Sequence, residues 1–141
     1  MGSAPYLGGG FGHFFVYAPN KLKYPINRYA MEVKRQLSVL DNRLADCEFI
    51  SGPTYSIADM AIWPWYGRLA LGRQYGKKAG AFLSVSDYSN VIRWATQLEQ
   101  REAVIRGQMV NRTSGDLSGQ LRERHSQEDF EFNTEDKISR S

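Results

Sequence analysis

The 141 residues include one cysteine, two histidines and no long apolar run, and each shortage excludes a class of protein. Cys47 cannot close an internal disulfide, so a disulfide-stapled secreted scaffold is ruled out. Cys47 with His13 and His125 cannot supply the four nitrogen and sulfur ligands of a structural zinc site, and no metal is expected. No stretch approaches the ~20 apolar residues that cross a bilayer, and the start lacks the basic and then apolar regions of a secretory leader. Gly2 follows Met1, but Tyr6 stands where a myristoylation signal needs Ser or Thr. Sustained apolar–polar alternation, the mark of strands, is missing too. The expectation is a small cytoplasmic all-α protein with no membrane partner.

Charge of either sign is also modest. Eighteen Lys and Arg against fifteen Asp and Glu give +3, divided as +5 over residues 1–110 and −2 over 111–141. A +5 body suits an anionic small molecule but falls short of the basic stripe of a nucleic-acid binder, so no nucleic-acid partner is expected.

What the chain does contain is organised. Residues 1–20 crowd five glycines (Gly2, Gly8, Gly9, Gly10, Gly12) among aromatics. Glycine at that density disfavours helix by about 1 kcal/mol per residue against alanine, while the aromatics seek burial. The segment reads as backbone approached closely by packing or by a ligand. Ile26, Tyr29, Val33, Leu37, Leu40 and Leu44 then recur at steps of three and four, which predicts an amphipathic helix over 26–44 behind Pro25. Ser56-Ile57-Ala58-Asp59 predicts a capping box, with Asp59 reaching back to the cap, and Tyr55 and Met60 occupy the positions of a hydrophobic staple. The helix that follows is apolar nearly all round, predicting a buried central helix with a kink at Pro64. Gly72–Gly80 reads as a loop, and further helices are predicted over 87–101 and 103–110. Residues 111–141 hold too few apolar side chains for a core. The predicted organisation is a helical domain over 1–110 and a polar tail over 111–141, extended or disordered.

Few motifs carry chemistry. Gly8-Gly9-Gly10-Phe11-Gly12 lacks the preceding strand of a dinucleotide-binding turn and the Lys-Ser/Thr of a phosphate loop. No G-x-S-x-G is present for a serine hydrolase. His13, alone among aromatics, reads as a packing residue, and Cys47 at the end of its helix lacks the basic setting of a reactive thiol. Arg28 is the one charge singled out. In the first turn of the 26–44 helix it is either a solvated cation or a planar clamp for a carboxylate.

Several of these segments converge. Tyr55 to Trp65 (YSIADMAIWPW) resembles the capping-box and staple segment of the glutathione transferase C-terminal domain. The stretch from Ala4 to Phe14, Tyr17-Ala18-Pro19, and the tail segments Glu128-Asp129-Phe130 and Asn133 to Lys137 resemble the bacterial Nu-class glutathione transferases, which reduce disulfides with glutathione. The resemblance implies an all-α bundle of the glutathione transferase C-terminal type with an extended polar tail. It implies glutathione as the cofactor-like substrate, a homodimer, and a thioredoxin-like half as partner, none of which lies in these 141 residues. Arg28 matches a glutathione-contacting arginine, and Pro5, Tyr6, Phe11, His13, Phe14 and Tyr17 match the segment lining the cleft; no catalytic residue is implied. Without the thiol-activating half, little activity is expected. The alternative is a non-catalytic helical module for dimerisation or partner binding.

Overall fold

A computed structural model describes residues 2–112 and 115–121. These divide into two compact units, 1–98 and from 99 onward. Helix is the sole regular structure among the described residues, as the missing alternation predicts; two isolated bridges replace any sheet. Six helices follow one another. They are α1 (Ser3–Tyr17), α2 (Lys23–Asp46), α3 (residues 57–70), α4 (Gly76–Phe82), α5 (Ser89–Glu99) and α6 (Glu102–Met109).

The glycine-rich segment departs from expectation, because it is helical along its whole length. α1 is wound with the wider π geometry, and at its end Ala18 N–H donates to the carbonyl of His13, five residues back, at 2.7 Å. Tertiary packing overrides the poor propensity: Leu7 and Phe11 are completely buried. α2 is the predicted amphipathic helix, three residues longer at its start, with Ala30, Val33, Leu37, Leu40 and Leu44 inward. Pro25 falls in its first turn, where an N–H has no helical partner to lose.

α3 opens with the predicted capping box. Ser56 Oγ accepts from Ala58 N–H at 3.3 Å, and Asp59 Oδ2 accepts from Ser56 N–H at 2.9 Å. Around Pro64 the helix widens to a π turn over Trp63–Gly67, and Arg68 N–H reaches back to the Trp63 carbonyl. A missing donor is thus absorbed by re-registering the ladder. Trp63, Tyr66 and Leu69 are buried, but Ile57 and Met60 are 81% and 53% exposed, so only one face of α3 is interior. Tyr55 meets Phe49 edge-on at 6.0 Å.

Beginning inside the stretch expected to be a loop and running two residues past it, Gly76–Phe82 forms α4, with Ala79 fully buried. α5 carries Val91, Trp94, Ala95 and Leu98 inward, and Trp94 is the largest fully buried side chain among the described residues. α5 and α2 complete each other's ends. Asp41 Oδ1 of α2 accepts from Asn90 and Val91 N–H at 2.9 and 3.0 Å. In return, Arg93 Nη2 donates to the carbonyls of Leu44 and Cys47 at 2.9 and 3.2 Å.

In the second unit, α6 buries none of its residues. Beyond it the chain turns back: Asn111 N–H donates to the Leu121 carbonyl at 3.0 Å and Leu121 N–H to that of Met109 at 2.9 Å. Leu121 is thus bridged to the end of α6, and Leu117–Gly119 makes a 3₁₀ turn. The rest of the predicted tail, from 122 to 141, lies outside the described residues and includes His125 and the acidic segments around Phe130 and Asn133.

Asp59 is the one fully buried charged side chain among the described residues. Besides the cap, its Oδ1 accepts from Trp94 Nε1 at 2.8 Å and from Ile50 N–H at 3.0 Å. Burial pushes the carboxyl pKa up, but the bonds from Ile50, Trp94 and Ser56 outweigh it and hold the group below the usual aspartate range. Asp59 is a folding residue, as the capping box predicts. Its lowered value means that stability is fully present above the unfolded pKa and is lost as pH falls through the folded one. Asp59→Ala should cost about 3 kcal/mol in urea denaturation followed by circular dichroism at pH 7. In Asp59→Asn the loss of stability below about pH 4 should be smaller than in the parent chain.

Candidate functional site

The four-residue spacing along α1 sorts its side chains into four rows, three of which bear on the expected cleft. Leu7, Phe11 and Phe15 form the inner row; the rings of Phe11 and Phe15 stack at 4.8 Å, and Phe82 of α4 lies 5.0 Å from Phe15. Half-buried Tyr6 and Phe14 flank buried Gly10 in a second row, while Pro5, Gly9, His13 and Tyr17 face solvent. Of the six residues expected to line a cleft from this segment, five therefore reach the surface. Phe11 is completely buried and supports the wall from behind.

Two glycines set the fit. A Cβ on Gly10 would fall inside the van der Waals envelope of the Tyr29 ring, so glycine lets α2 bring Tyr29 flush against α1. Tyr29 then stacks on Phe14 at 5.6 Å, and His13 meets Phe14 edge-on at 4.9 Å. A Cβ on Gly12 would likewise overlap the Tyr75 hydroxyl, which donates to the Leu7 carbonyl at 3.4 Å. The close approach read from the glycines is one of packing at both positions. His13 is exposed, not interior.

Arg28 sits beside Tyr29. Because α2 begins at Lys23, it occupies the second turn, not the first, which eases its conflict with the helix dipole. It is exposed to solvent but not wholly free. Its Nη1 pairs with Glu32 Oε1 at 2.9 Å, and Glu32 Oε2 takes Arg35 Nε at 3.0 Å. The bond to Glu32 and its charge raise the Arg28 pKa, with smaller contributions from Tyr24 and Tyr6 after burial is counted against them. Arg35 and then Arg28 lower that of Glu32. Arg28 is joined to α1 through its neighbour Tyr29, whose ring packs on Gly10 and stacks on Phe14. Half of the Arg28 side chain remains exposed. Its other N–H groups have no partner among the described residues, so it can still take a carboxylate in forked geometry.

Sequence reasoning passed over Glu32, although Arg28 and Glu32 stand four apart on a helix, the spacing at which opposite charges pair. Tyr75 and Phe82 lie in or beside the expected loop, where no pattern marks them. No group of His, Cys, Asp and Glu among the described residues could hold a metal.

The comparisons with known proteins agree with this architecture. The family described as glutathione S-transferase, C-terminal domain, matches residues 24–96. The disulfide-bond oxidoreductase YghU of Escherichia coli (strain K12) is 57% identical over 137 residues, covering 97% of this chain and 47% of that protein. The disulfide-bond oxidoreductase YfcG of the same organism is 33% identical over 72% of this chain and 43% of that protein. The crystal structure of glutathione transferase YghU from Streptococcus pneumoniae, complexed with glutathione, is 57% identical with a TM-score of 0.72, over 75% of this chain and 40% of that one. A glutathione transferase from Burkholderia graminis, with two glutathione molecules bound per subunit, is 38% identical with a TM-score of 0.65, over 73% of this chain and 42% of that one. This chain belongs to the glutathione S-transferase C-terminal domain family. It spans about half the length of the curated relatives it matches.

Gly10→Ala should force the Tyr29 ring off α1 and unstack Phe14. The expected cost is about 1–3 kcal/mol in the urea midpoint, with loss of the ring-current shifts on Phe14 in proton spectra.

Proposed function

We propose that this chain forms the acceptor-side wall of a glutathione-dependent disulfide reductase, with glutathione held partly through Arg28. Support comes from the family, from the two disulfide-bond oxidoreductases it resembles, and from relatives crystallised with glutathione. The observation that carries the reading is that Arg28 directly precedes Tyr29, whose ring packs on Gly10 and stacks on Phe14 of α1. A half-exposed guanidinium beside a half-buried aromatic wall fits a peptide that bears carboxylates and a small apolar body.

Glutathione, when bound, supplies the thiol that reduces the acceptor disulfide, two molecules becoming one oxidised glutathione as two acceptor thiols form. The chain's own residues bind and orient. Arg28 receives a carboxylate, Tyr6 and Phe14 limit water on one side, and Pro5, His13 and Tyr17 face the acceptor. Phe11 fixes the helix that carries them. No side chain of the described residues is assigned the task of activating the thiol. That task falls to a thioredoxin-like partner domain, which suits the near-doubled length of the curated relatives.

A cytoplasmic homodimer completes the reading. Tyr24 and Met31, 81% and 67% exposed, lie seven residues apart on α2 and offer apolar surface for association. Among the described residues no helix is long and apolar enough to cross a membrane.

Titration of glutathione into the chain should shift the amide resonances around Tyr6 and Arg28, and Arg28→Gln should weaken that binding about tenfold. The 141-residue chain by itself should turn over neither a disulfide nor a conjugation substrate. Turnover approaching that of the Escherichia coli relative, or titrations identical in the two forms, would overturn the proposal.

A further inference from the structure

Away from Arg28, a recess of about 260 Å³ opens among the start of α1, the middle of α2, Ile50 and α3. Its volume is below the ~300–1,000 Å³ of drug-sized sites and restricts it to a small occupant. Val39, Ile50 and Ile62 give it an apolar lining, and Arg35 and Arg43 lie at its margin, eight residues or about 12 Å apart along α2.

The polar inventory of this recess is one-sided. Arg35 is anchored by Nε to Glu32, and Arg43 by Nε to the Ile50 carbonyl at 2.9 Å. The terminal nitrogens of both have no partner among the described residues. Tyr66 is buried, burial keeps its hydroxyl protonated, and it donates to Gln36 Oε1. That bond uses the acceptor of Gln36 and leaves its NH₂ as a donor. Among the described residues no carboxylate lines the recess. Three side chains thus offer N–H groups, and the strongest complement is an oxygen anion. The apolar lining selects against a fully hydrated inorganic one, since burial of hydrocarbon is what the recess adds.

We propose that this recess binds a small organic carboxylate with an apolar body, received by Arg35, Arg43 and the Gln36 amide. Glu32 competes for it, because Glu32 already holds Arg35. The recess shares no lining residue with the wall assigned to glutathione, touching it only through the pairing of Glu32 with both Arg28 and Arg35, and the proposal stands whether or not that assignment does.

The probe is 4-phenylbutyrate, titrated into the 141-residue chain and followed by the Gln36 side-chain amide signal and by calorimetry. Expected results are saturable binding, about tenfold weaker binding of the neutral 4-phenylbutyramide, and weaker binding of inorganic phosphate by a similar factor. Arg35→Gln and Arg43→Gln should each weaken the carboxylate about fivefold, while Glu32→Gln should tighten it about twofold by releasing Arg35. His13→Ala, on the solvent-facing row of α1 and outside the Arg28–Glu32–Arg35 chain, should leave it within about twofold of the parent chain, which separates this site from the glutathione wall. Equal binding of acid and amide, a Gln36 signal that does not move, or insensitivity to both arginine substitutions would overturn the proposal. The acid–amide comparison needs no variant, so a misfolded substitution cannot shield the idea.

Discussion

The buried carboxylate of Asp59 is the constraint on which the first unit depends. An ionised group with no solvent contact is tolerable only when its lone pairs are met by donors, and here they come from three separate places: the Ser56 cap, the Ile50 backbone and the Trp94 indole. One side chain thereby fixes where α3 starts, how the preceding turn approaches it, and at what depth α5 packs. α3 carries Trp63, Tyr66 and Leu69 into the interior, and its Trp65 ring lies against Gly8 of α1. The position of the aromatic wall thus descends, through packing, from a capping interaction.

Much of this is legible in the amino-acid sequence. The period of Ile26, Val33, Leu37 and Leu44 specifies α2 because one interior face suffices to determine a helix of that length. Ser56 and Asp59 specify the start of α3 because a capping box is local and depends on four consecutive residues. What the sequence does not reveal depends on distant partners. α1 is helical although its glycines argue otherwise, since Tyr29 and Tyr75 occupy the space that side chains would take. α4 is concealed for the same reason: Tyr75, in a left-handed conformation at φ 60°, precedes it and is set by contacts with α1 that no local pattern announces.

The candidate site divides along the same line. The family likeness can be read from the glycine–aromatic stretch and from the Ser56 motif. The division of labour within that stretch cannot, because it depends on which row of α1 turns inward; Phe11 faces the core while His13, two residues on, faces water. Likewise Arg28 reads as an isolated cation until α2 is wound, and only then is Glu32 seen to link it to Arg35. A charge that looks single in sequence is part of a three-member chain along one helix.

The mutual end-capping of α2 and α5 has a consequence for how the molecule comes apart. Asp41 serves amides that open α5, and Arg93 serves carbonyls that close α2, so neither terminus is finished until both helices are in place. Fraying at one end strips the other of its partner. Motion that in a free helix would be local and graded is here shared across forty to fifty residues of intervening sequence, and the two ends behave as a single latch.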